Sequence, residues 1–379
     1  MRGRGRLAAA ALAACGLVLA APAAPLWARE SPALTRKSAA ALKHARAIAA
    51  RLDRRLLLTD SFTRGGAGAP FKGLLGRAGL QPLETAAPNP PAPAFKERLP
   101  PLSPEPALAR CRFWSVDCQN PTDARYEAIA GPAYSANPDG STNISAEDVV
   151  QGDLDDCYLM ASLAAVAAAH PGVIRRMIRR NADGTFSVTF YKRTPPWEFW
   201  KPEYEKTTVR VDNRFPVEPS DYGPPTPLYA QQGLGGIWPM VAEKAYAAYK
   251  GSYGAIDGIL ADGFASSALE LITGRDSAVY PAMIIPAWAL ESWLKAGAVV
   301  VVSAKIDLSP WLGSWAKALP GPLYKDGTLV PTHDYWVKSV NVNKGTVTLG
   351  NPWGWDDSTT ITMEEFRTEL SIIYVNPVR

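Results

Sequence analysis

Histidine and cysteine are scarce in this chain: its 379 residues include three histidines and four cysteines. With so few ligands, and with neither an H-E-x-x-H motif nor paired C-x-x-C motifs, the sequence does not predict a zinc enzyme. Four cysteines are also too few for a disulfide scaffold at this length. Any chemistry that needs a thiol or an imidazole must therefore use one of these few side chains.

Signature motifs of other enzyme classes are missing as well. The sequence contains no G-x-S-x-G nucleophile elbow and no G-x-x-x-x-G-K phosphate-binding loop. Its formal net charge of +4 is small for the length, and much of the basic excess lies near the N-terminus. A nucleic-acid partner is therefore not predicted.

The N-terminus has the features of an export signal. Residues 1–23 begin with arginines, continue as an apolar run and end in small residues. Because the run is short for a transmembrane helix, we predict no stable membrane span. The alternative is a lipoprotein anchored through Cys15, since residues 12–15 resemble a lipoprotein box. We favour plain export, to the periplasm or the extracellular space, because the apolar run continues past Cys15.

Two segments of distinct composition follow the signal. Residues 24–60 are basic and rich in Ala and Leu, with apolar side chains spaced for a partly amphipathic helix that includes His44. Residues 61–106 are Gly-rich and then Pro-rich, as linkers are. We therefore predict one domain over residues 107–379, and the role of residues 24–106 stays open.

The order of predicted elements in that domain indicates an α+β fold. An apolar helix over residues 158–169 comes first, and alternating apolar and polar side chains over residues 185–193 and 207–213 then predict half-buried strands. A β-branched run over residues 298–305 predicts a buried strand. We expect two subdomains, a helical half and a half of mostly antiparallel strands, with a cleft between them.

One stretch, residues 151–160, has the features of a nucleophile site. Asp156 can cap the predicted helix by accepting one of its free N–H groups, which places Cys157 where the helix dipole favours a thiolate. Gln151, six residues upstream, offers an amide N–H that can stabilise an oxyanion. The alternative is a purely structural thiol, because free cysteine is among the most buried residue types.

His333 is the residue predicted to act as the base for this thiol. A general base must lie within hydrogen-bond reach and be oriented through its other ring nitrogen. His170 lies thirteen residues along the same helical run, roughly 20 Å from Cys157, and is expected to end the helix. Asn351 follows His333 by eighteen residues and can return beside it across a tight turn. Its side-chain oxygen would hold the imidazole, and Trp353 would shield that hydrogen bond from water.

These residues and their neighbours resemble the protease core of calpains, cysteine endopeptidases of the papain-like superfamily. The resemblance runs from about residue 147 to the C-terminus. The motifs that carry it, in family order, are Gln151-Gly152-x-Leu154-x-Asp156-Cys157, Val211-Asp212-Asn213-Arg214-Phe215-Pro216, Trp238-Pro239 with Glu243-Lys244-Ala245-Tyr246, Gly251-Ser252-Tyr253, His333-x-Tyr335 and Asn351-Pro352-Trp353-Gly354.

The resemblance implies a papain-like fold of two subdomains and a peptidase activity. The helical half would carry Cys157, and the β-rich half would carry His333 and Asn351. Gln151 would contribute to the oxyanion hole, and peptide bonds of a protein or peptide substrate would be hydrolysed through a thioester acyl-enzyme. Two alternatives use the same fold: a non-catalytic peptide-binding module, and an acyl transferase.

Four positions depart from the calpain pattern. Asp155 stands where calpains usually have glycine, and a second carboxylate beside the thiol disfavours the thiolate. Tyr158 replaces a tryptophan, and Thr332 replaces the glycine before the histidine. Asp334 replaces a small residue after it; since Asp334 would point to the opposite face of the strand from His333, we expect it to have little effect.

The predicted chemistry requires no cofactor, and calcium activation stays open. Asp148 matches an acidic position that binds calcium in calpains, which makes it a candidate calcium ligand. The loop at residues 355–357 is short and is not expected to form a second calcium site, and no EF-hand pattern is present. In an oxidising compartment Cys111 and Cys118 could form a disulfide. Neither substrate preference nor oligomeric state is predicted.

Overall fold

The computed structural model describes the domain from residue 99 to residue 378, with gaps. The described residues are 99–109, 124–137, 139–194, 203–218, 225–233, 236–258, 263–305, 329–354 and 358–378. The predicted export signal, the basic segment, most of the linker and the 355–357 loop lie outside them, as do Cys15, His44, Cys111 and Cys118.

Groups of strands and groups of helices follow one another along the chain, and this mixture matches the predicted α+β class. The helices are α1 (Cys157–Ala169), α2 (Pro171–Met177), α3 (Trp238–Lys250), α4 (Ala265–Thr273), α5 (Ala287–Lys295) and α6 (Met363–Glu369). The strands are β1 (Arg125–Ala128), β2 (Ser135–Ala136), β3 (Thr142–Asn143), β4 (Val149–Val150), β5 (Ile178–Arg180), β6 (Phe186–Arg193), β7 (Tyr204–Val211), β8 (Arg214–Glu218), β9 (Thr226–Pro227), β10 (Gln231–Gln232), β11 (Ala278–Pro281), β12 (Val299–Ala304), β13 (Asp334–Asn341), β14 (Thr346–Gly350), β15 (Ser358–Thr362) and β16 (Leu370–Asn376).

The largest sheet is antiparallel throughout and has the order β11-β16-β12-β13-β14-β15. Its central strand β12 is the buried β-branched run that the sequence predicts. In the β13–β14 hairpin Trp336 is paired with Gly350. A Cβ atom at Gly350 would lie 2.3 Å from the indole nitrogen of Trp336, so this position requires glycine. The pairing brings the residue after β14, Asn351, next to the residue before β13, His333.

The two faces of this sheet belong to different hydrophobic cores, because successive side chains of a strand point to opposite sides. Val301 and Trp336 join a first core that contains α1, α3 and α4. Val302 and Tyr335 join a second core that contains α5 and α6. The nucleophile helix α1 therefore covers one face of the sheet that holds the predicted base.

Helix α1 is buried along most of its length, from Tyr158 to Ala167. It ends at His170, whose N–H donates to the carbonyl of Val166, and Pro171 then begins α2. The predicted helix end is confirmed. In the described ranges no single helix is long and apolar enough to cross a membrane; α1 and α2 pass such a test only as a pair, and they are bent by 118°.

The end of the predicted linker is extended and packs along the domain. The N–H of Ser103 donates to the carbonyl of Arg210 over 2.8 Å, and the N–H of Tyr253 donates to the carbonyl of Ala107 over 2.9 Å. The predicted boundary near residue 107 thus falls within a segment that contacts the domain on both sides.

Candidate active site

The imidazole of His333 is held by the side chain of Asn351, as the sequence predicts. The His333 Nε2 atom lies 2.8 Å from Asn351 Oδ1, and the N–H of Trp353 donates to the same oxygen over 3.2 Å. Since a backbone N–H can only donate, it fixes the orientation of the amide with its oxygen towards the ring. Nε2 must therefore carry the ring proton, which leaves Nδ1 as the proton acceptor.

Two aromatic rings enclose this imidazole. The Trp353 ring lies 4.7 Å from it, between centroids, and is 46% exposed while His333 is 5% exposed. Trp353 thus covers the hydrogen bond from the solvent side, as predicted. The Tyr335 ring meets the imidazole edge-on, with 5.0 Å between the ring centroids. The sequence motif did not predict this contact. The Tyr335 hydroxyl accepts from the N–H of Val330 over 2.8 Å, which fixes this second wall.

Cys157 is the first residue of α1 and lies against the start of β13. It is a free cysteine, and the residue as a whole is partly exposed although the thiol itself is buried. The backbone N–H of Asp334 makes a hydrogen bond to this thiol that lowers its pKa. Because Asp334 directly follows His333, the sulfur lies at the same end of the sheet as the imidazole. His170 is not part of this site, since its ring nitrogen contacts the carbonyl oxygen of Gly297 at 2.6 Å.

The thiol does not gain the acidity expected at a helix start. Burial raises the pKa of Cys157 well above its ordinary value, and the carboxyl group of Asp334 raises it further, with smaller contributions from Asp156 and Asp155. The predicted effect of the helix dipole is therefore outweighed. A thiolate in this position must be generated by transfer of the proton to a base.

The Gln151 segment joins the two halves of the site. Its backbone N–H donates to the carbonyl of Pro352 over 2.8 Å, while its Nε2 donates to the carbonyl of Leu154 over 2.6 Å. An amide nitrogen carries two hydrogens, so within the part of the chain that the structure describes one donor remains for a ligand. A Cβ atom at Gly152 would lie 2.1 Å from the carbonyl oxygen of Tyr229, which explains the glycine after Gln151.

The prediction that the side chain of Asp156 caps α1 is wrong. Asp156 makes no side-chain cap hydrogen bond, and both of its side-chain oxygens are buried. Its partner is the buried carboxyl group of Glu243 on α3, which also accepts from the N–H of Ala230 over 3.0 Å. Burial raises the pKa of Glu243 to about 8 and that of Asp156 in the same direction. We therefore expect the two acids to share one proton.

Asp334 is a buried acid at the site whose effect the sequence argument missed. Its Oδ1 accepts from the hydroxyl of Ser303 over 2.5 Å, and burial raises its pKa to about 7. The expectation that Asp334 has little effect is wrong. Asp334 points to the opposite face of the sheet from Tyr335, and α1, which begins with Cys157, covers that face. The sequence did hold a signal for this buried acid. An aspartate that directly follows the predicted base, in a strand next to the buried strand β12, is expected to be buried itself.

Asp148, the candidate calcium ligand, is buried and holds neighbouring groups. Its Oδ2 accepts from the indole N–H of Trp238 and from the N–H of Ser145, each over 2.9 Å. The part of the chain that the structure describes contains no cluster of three or more His, Cys, Asp or Glu side chains suited to a metal. Since calcium takes six to eight oxygen ligands, these residues do not form a fitted calcium site, and the role of Asp148 stays a prediction.

Comparisons with known proteins agree on one family. The sequence profile described as calpain family cysteine protease matches residues 133–361, more than half of the chain. Calpain-8 of Homo sapiens is 30% identical over 217 residues, which cover 55% of this chain and 28% of calpain-8. The calpain-1 catalytic subunit of Homo sapiens is 26% identical over 264 residues, which cover 65% of this chain and 32% of that subunit. The chain thus spans about a third of the length of these relatives.

Proposed function

The chain belongs to the calpain family of cysteine proteases, and we propose that it is a cysteine endopeptidase that cleaves protein substrates through a thioester acyl-enzyme. The observation that carries the proposal is the hydrogen bond between His333 Nε2 and Asn351 Oδ1. The thiol of Cys157 lies beside it and accepts a hydrogen bond from the backbone N–H of Asp334, the residue after His333. We also propose the papain-like arrangement of two subdomains, which the two cores on opposite faces of one sheet support.

In the first step the imidazole of His333 accepts the thiol proton at Nδ1, and the sulfur of Cys157 attacks the scissile carbonyl carbon. Negative charge develops on the carbonyl oxygen as the tetrahedral intermediate forms. The second amide hydrogen of Gln151 and the free N–H groups at the start of α1 are the donors proposed to stabilise that charge.

In the second step the imidazolium returns its proton to the leaving amine, and the C–N bond breaks to give a thioester on Cys157. Water, deprotonated by His333, then attacks the thioester and releases the acid and the thiol. Throughout, Asn351 keeps the ring in the tautomer that presents Nδ1 to the sulfur, and Trp353 excludes water from that hydrogen bond.

The proposal is tested with the purified full-length chain on casein or a fluorogenic peptide. Cys157→Ala should abolish turnover, and His333→Ala should lower kcat/KM by about a thousandfold. His170→Ala is the matched control, because the His170 ring lies outside the site and contacts the carbonyl oxygen of Gly297. Its turnover should stay near wild type. Equal background rates for wild type and Cys157→Ala would contradict peptidase activity.

A non-catalytic peptide-binding module is the second candidate, and it would require that burial and the neighbouring acids keep the Cys157 thiol protonated. A protein that binds peptides, fails to turn them over and resists alkylation of Cys157 would support it. Export, by contrast, is proposed from residues 1–23 alone, and it is tested by finding the mature protein outside the cytoplasm. Labelling of Cys15 with lipid would support the anchored alternative instead.

A further inference from the structure

Residues 99–109, which span the end of the predicted linker and the predicted domain boundary, are bound along the surface of the domain, and we call them the strap. At the end of the strap, the N–H of Ala109 donates to the hydroxyl of Tyr229 over 2.8 Å. Ala109 and Tyr229 are both buried, so this hydrogen bond is protected from competition by water. The strap therefore reaches the interior of the domain at Tyr229.

Tyr229 is fixed on a second side by a residue that the strap also holds. Its ring lies 4.3 Å from the ring of Tyr253, between centroids. The N–H of Tyr253 in turn donates to the carbonyl of Ala107 over 2.9 Å. Since closely packed buried side chains have little room to shift, the strap sets the position of Tyr229 both directly and through Tyr253.

The main chain around Tyr229 lies beside the segment that carries Gln151. Residues 228–232 form what we call the backing segment. Its strand β10 pairs with β4, just before Gln151, and the carbonyl of Leu228 accepts from the N–H of Asp153 over 3.0 Å, just after Gln151. The backing segment thus holds the chain on both sides of the proposed oxyanion donor.

The two segments approach each other most closely at Gly152. A Cβ atom there would lie 2.1 Å from the carbonyl oxygen of Tyr229 and 2.7 Å from that of Leu228. Because these oxygens belong to the backbone, a shift of Tyr229 is passed to Gly152 and so to Gln151. An active-site group that is misplaced by about 1 Å can lower the rate about a hundredfold.

We propose that Tyr229 is a positioning residue of the active site, and that the strap, by binding its hydroxyl, keeps Gln151 where its amide stabilises the oxyanion. This inference rests on the proposed function, in which Gln151 is an oxyanion donor. Tyr229 lies behind the Gln151 segment and acts through it, without touching the substrate. The strap is then part of the working peptidase, although most of it has the composition of a linker.

The experiment uses the full-length chain and Tyr229→Phe, which removes the hydroxyl that Ala109 binds and keeps the ring beside Tyr253. On a fluorogenic peptide, kcat should fall about tenfold while KM stays within about twofold of wild type, because the oxyanion forms only on the way to the tetrahedral intermediate. Alkylation of Cys157 by iodoacetamide forms no oxyanion, so its rate should also stay within about twofold of wild type. A general disturbance of the site would slow both reactions.

Tyr126→Phe is the matched control, because it removes a second tyrosine hydroxyl from the strap. The Tyr126 hydroxyl donates to the carbonyl of Pro106, but Tyr126 lies on β1, in a different sheet from β4 and β10. Its kcat should stay within about twofold of wild type. Equal losses of kcat in Tyr126→Phe and Tyr229→Phe would overturn the proposal, because the strap would then only stabilise the domain.

A double-mutant cycle tests whether Tyr229 acts through Gln151. Gln151→Ala should lower kcat about a hundredfold, as the loss of an oxyanion donor does. Adding Tyr229→Phe to Gln151→Ala should lower kcat by less than about twofold more, because the donor that Tyr229 positions is already gone. Losses that multiply in the double variant would contradict a role through Gln151.

Binding of the tripeptide aldehyde acetyl-Leu-Leu-leucinal tests the same site without turnover. The sulfur of Cys157 adds to the aldehyde carbon, and the thiol proton passes to the aldehyde oxygen. The adduct is tetrahedral, like the intermediate of peptide hydrolysis, and its oxygen takes the place of the oxyanion. Tyr229→Phe should therefore bind the aldehyde about tenfold more weakly than wild type.

These outcomes separate the two proposals. A wild type that binds the aldehyde but cleaves no peptide contradicts the peptidase, and weaker aldehyde binding by Tyr229→Phe then still supports the positioning role. Normal kcat and normal aldehyde binding in Tyr229→Phe overturn the positioning role and keep the peptidase. A wild type that neither cleaves peptides nor binds the aldehyde overturns both.

Thermal unfolding checks that each variant is folded. If Tyr229→Phe does not fold, Ala109→Pro decides in its place, because proline lacks the N–H that donates to the Tyr229 hydroxyl. A folded Ala109→Pro should show the same tenfold loss of kcat, about the effect expected for Tyr229→Phe. A wild-type kcat in that variant would overturn the proposal.

Discussion

The two sides of the active site are stabilised in different ways. On the base side, the polar atoms of His333 and Asn351 are paired with each other and with a backbone N–H. On the nucleophile side, the buried acids Asp156 and Glu243 lie close together, and the side chain of Asp156 does not cap α1. The ring is thus held in one tautomer before substrate binds, whereas the thiol lies among acids that oppose its ionisation.

Backbone strain is found on the base side and is avoided on the nucleophile side. The nucleophile segment uses glycine where the chain passes close to a carbonyl, at Gly152. The base side has Thr332 at a φ of 55°, a left-handed conformation that a β-branched residue rarely adopts. Its N–H donates to the carbonyl of Lys305 over 2.9 Å, which helps to hold the strained residue next to His333. Neither side is optimised for stability as a whole, because the nucleophile side concentrates buried acids and the base side has a strained backbone.

The largest effect on stability is expected from adding a side chain at Gly152, where the nucleophile segment passes close to another part of the backbone. Gly152→Ala places a methyl group 2.1 Å from the backbone carbonyl oxygen of Tyr229, and no side-chain rotation can move either atom away. We expect the free energy of unfolding to fall by about 3 kcal/mol, measured by urea denaturation.

Gly172→Ala on α2 is the control for that substitution. Its added methyl would meet the Arg176 guanidinium at 3.4 Å, and helix propensity should stabilise the protein by about 0.5 kcal/mol. If the two variants were equally stable, the close approach at Gly152 would not be a constraint.

A smaller effect is expected from removing one acid of the buried pair. Burial raises the pKa of Glu243 from 4.5 to about 8, so the folded protein binds a proton that the unfolded chain releases. This contribution to stability is complete below pH 4.5, decreases as the pH rises, and is fully lost above about pH 8. Glu243→Gln lacks that loss, and already at pH 6 its free energy of unfolding should exceed that of wild type by about 2 kcal/mol.

The measurement is chemical denaturation of both proteins at pH 5 and at pH 8, where the difference between them should grow with pH. Glu364→Gln changes an exposed carboxylate on α6 and should leave the pH dependence as in wild type. A wild-type stability that does not decrease from acidic to alkaline pH relative to Glu243→Gln would rule out the shared proton.

The smallest effect is expected from relieving the strain on the base side. Thr332→Gly restores the residue type that adopts a positive φ readily, and stability should rise by about 1 kcal/mol. Thr359→Gly in β15 is the control and should destabilise, because glycine weakens a strand interior. A loss of stability in Thr332→Gly would show that the threonine side chain contributes contacts that outweigh its strain.

Much of the fold could be predicted because its signals are local. The buried run of α1 and the β-branched run of β12 depend on the spacing of neighbouring side chains. The pairing of His333 with Asn351 was also accessible, since a hairpin joins sequence neighbours of short separation. The same reasoning excluded His170, because helix length alone sets its distance from Cys157.

Local sequence signals are enough to predict most helices and strands, the candidate thiol, imidazole and amide, and the turn that brings the last two together. Packing between distant segments sets which acids share an environment: Asp334 with the thiol, and Asp156 with Glu243. Strand alternation says that Asp334 and Tyr335 point to opposite faces, but not which helix covers each face. That choice is made by the packing of α1 against the sheet, a contact between residues far apart in the chain, and it fixes the electrostatics of the nucleophile.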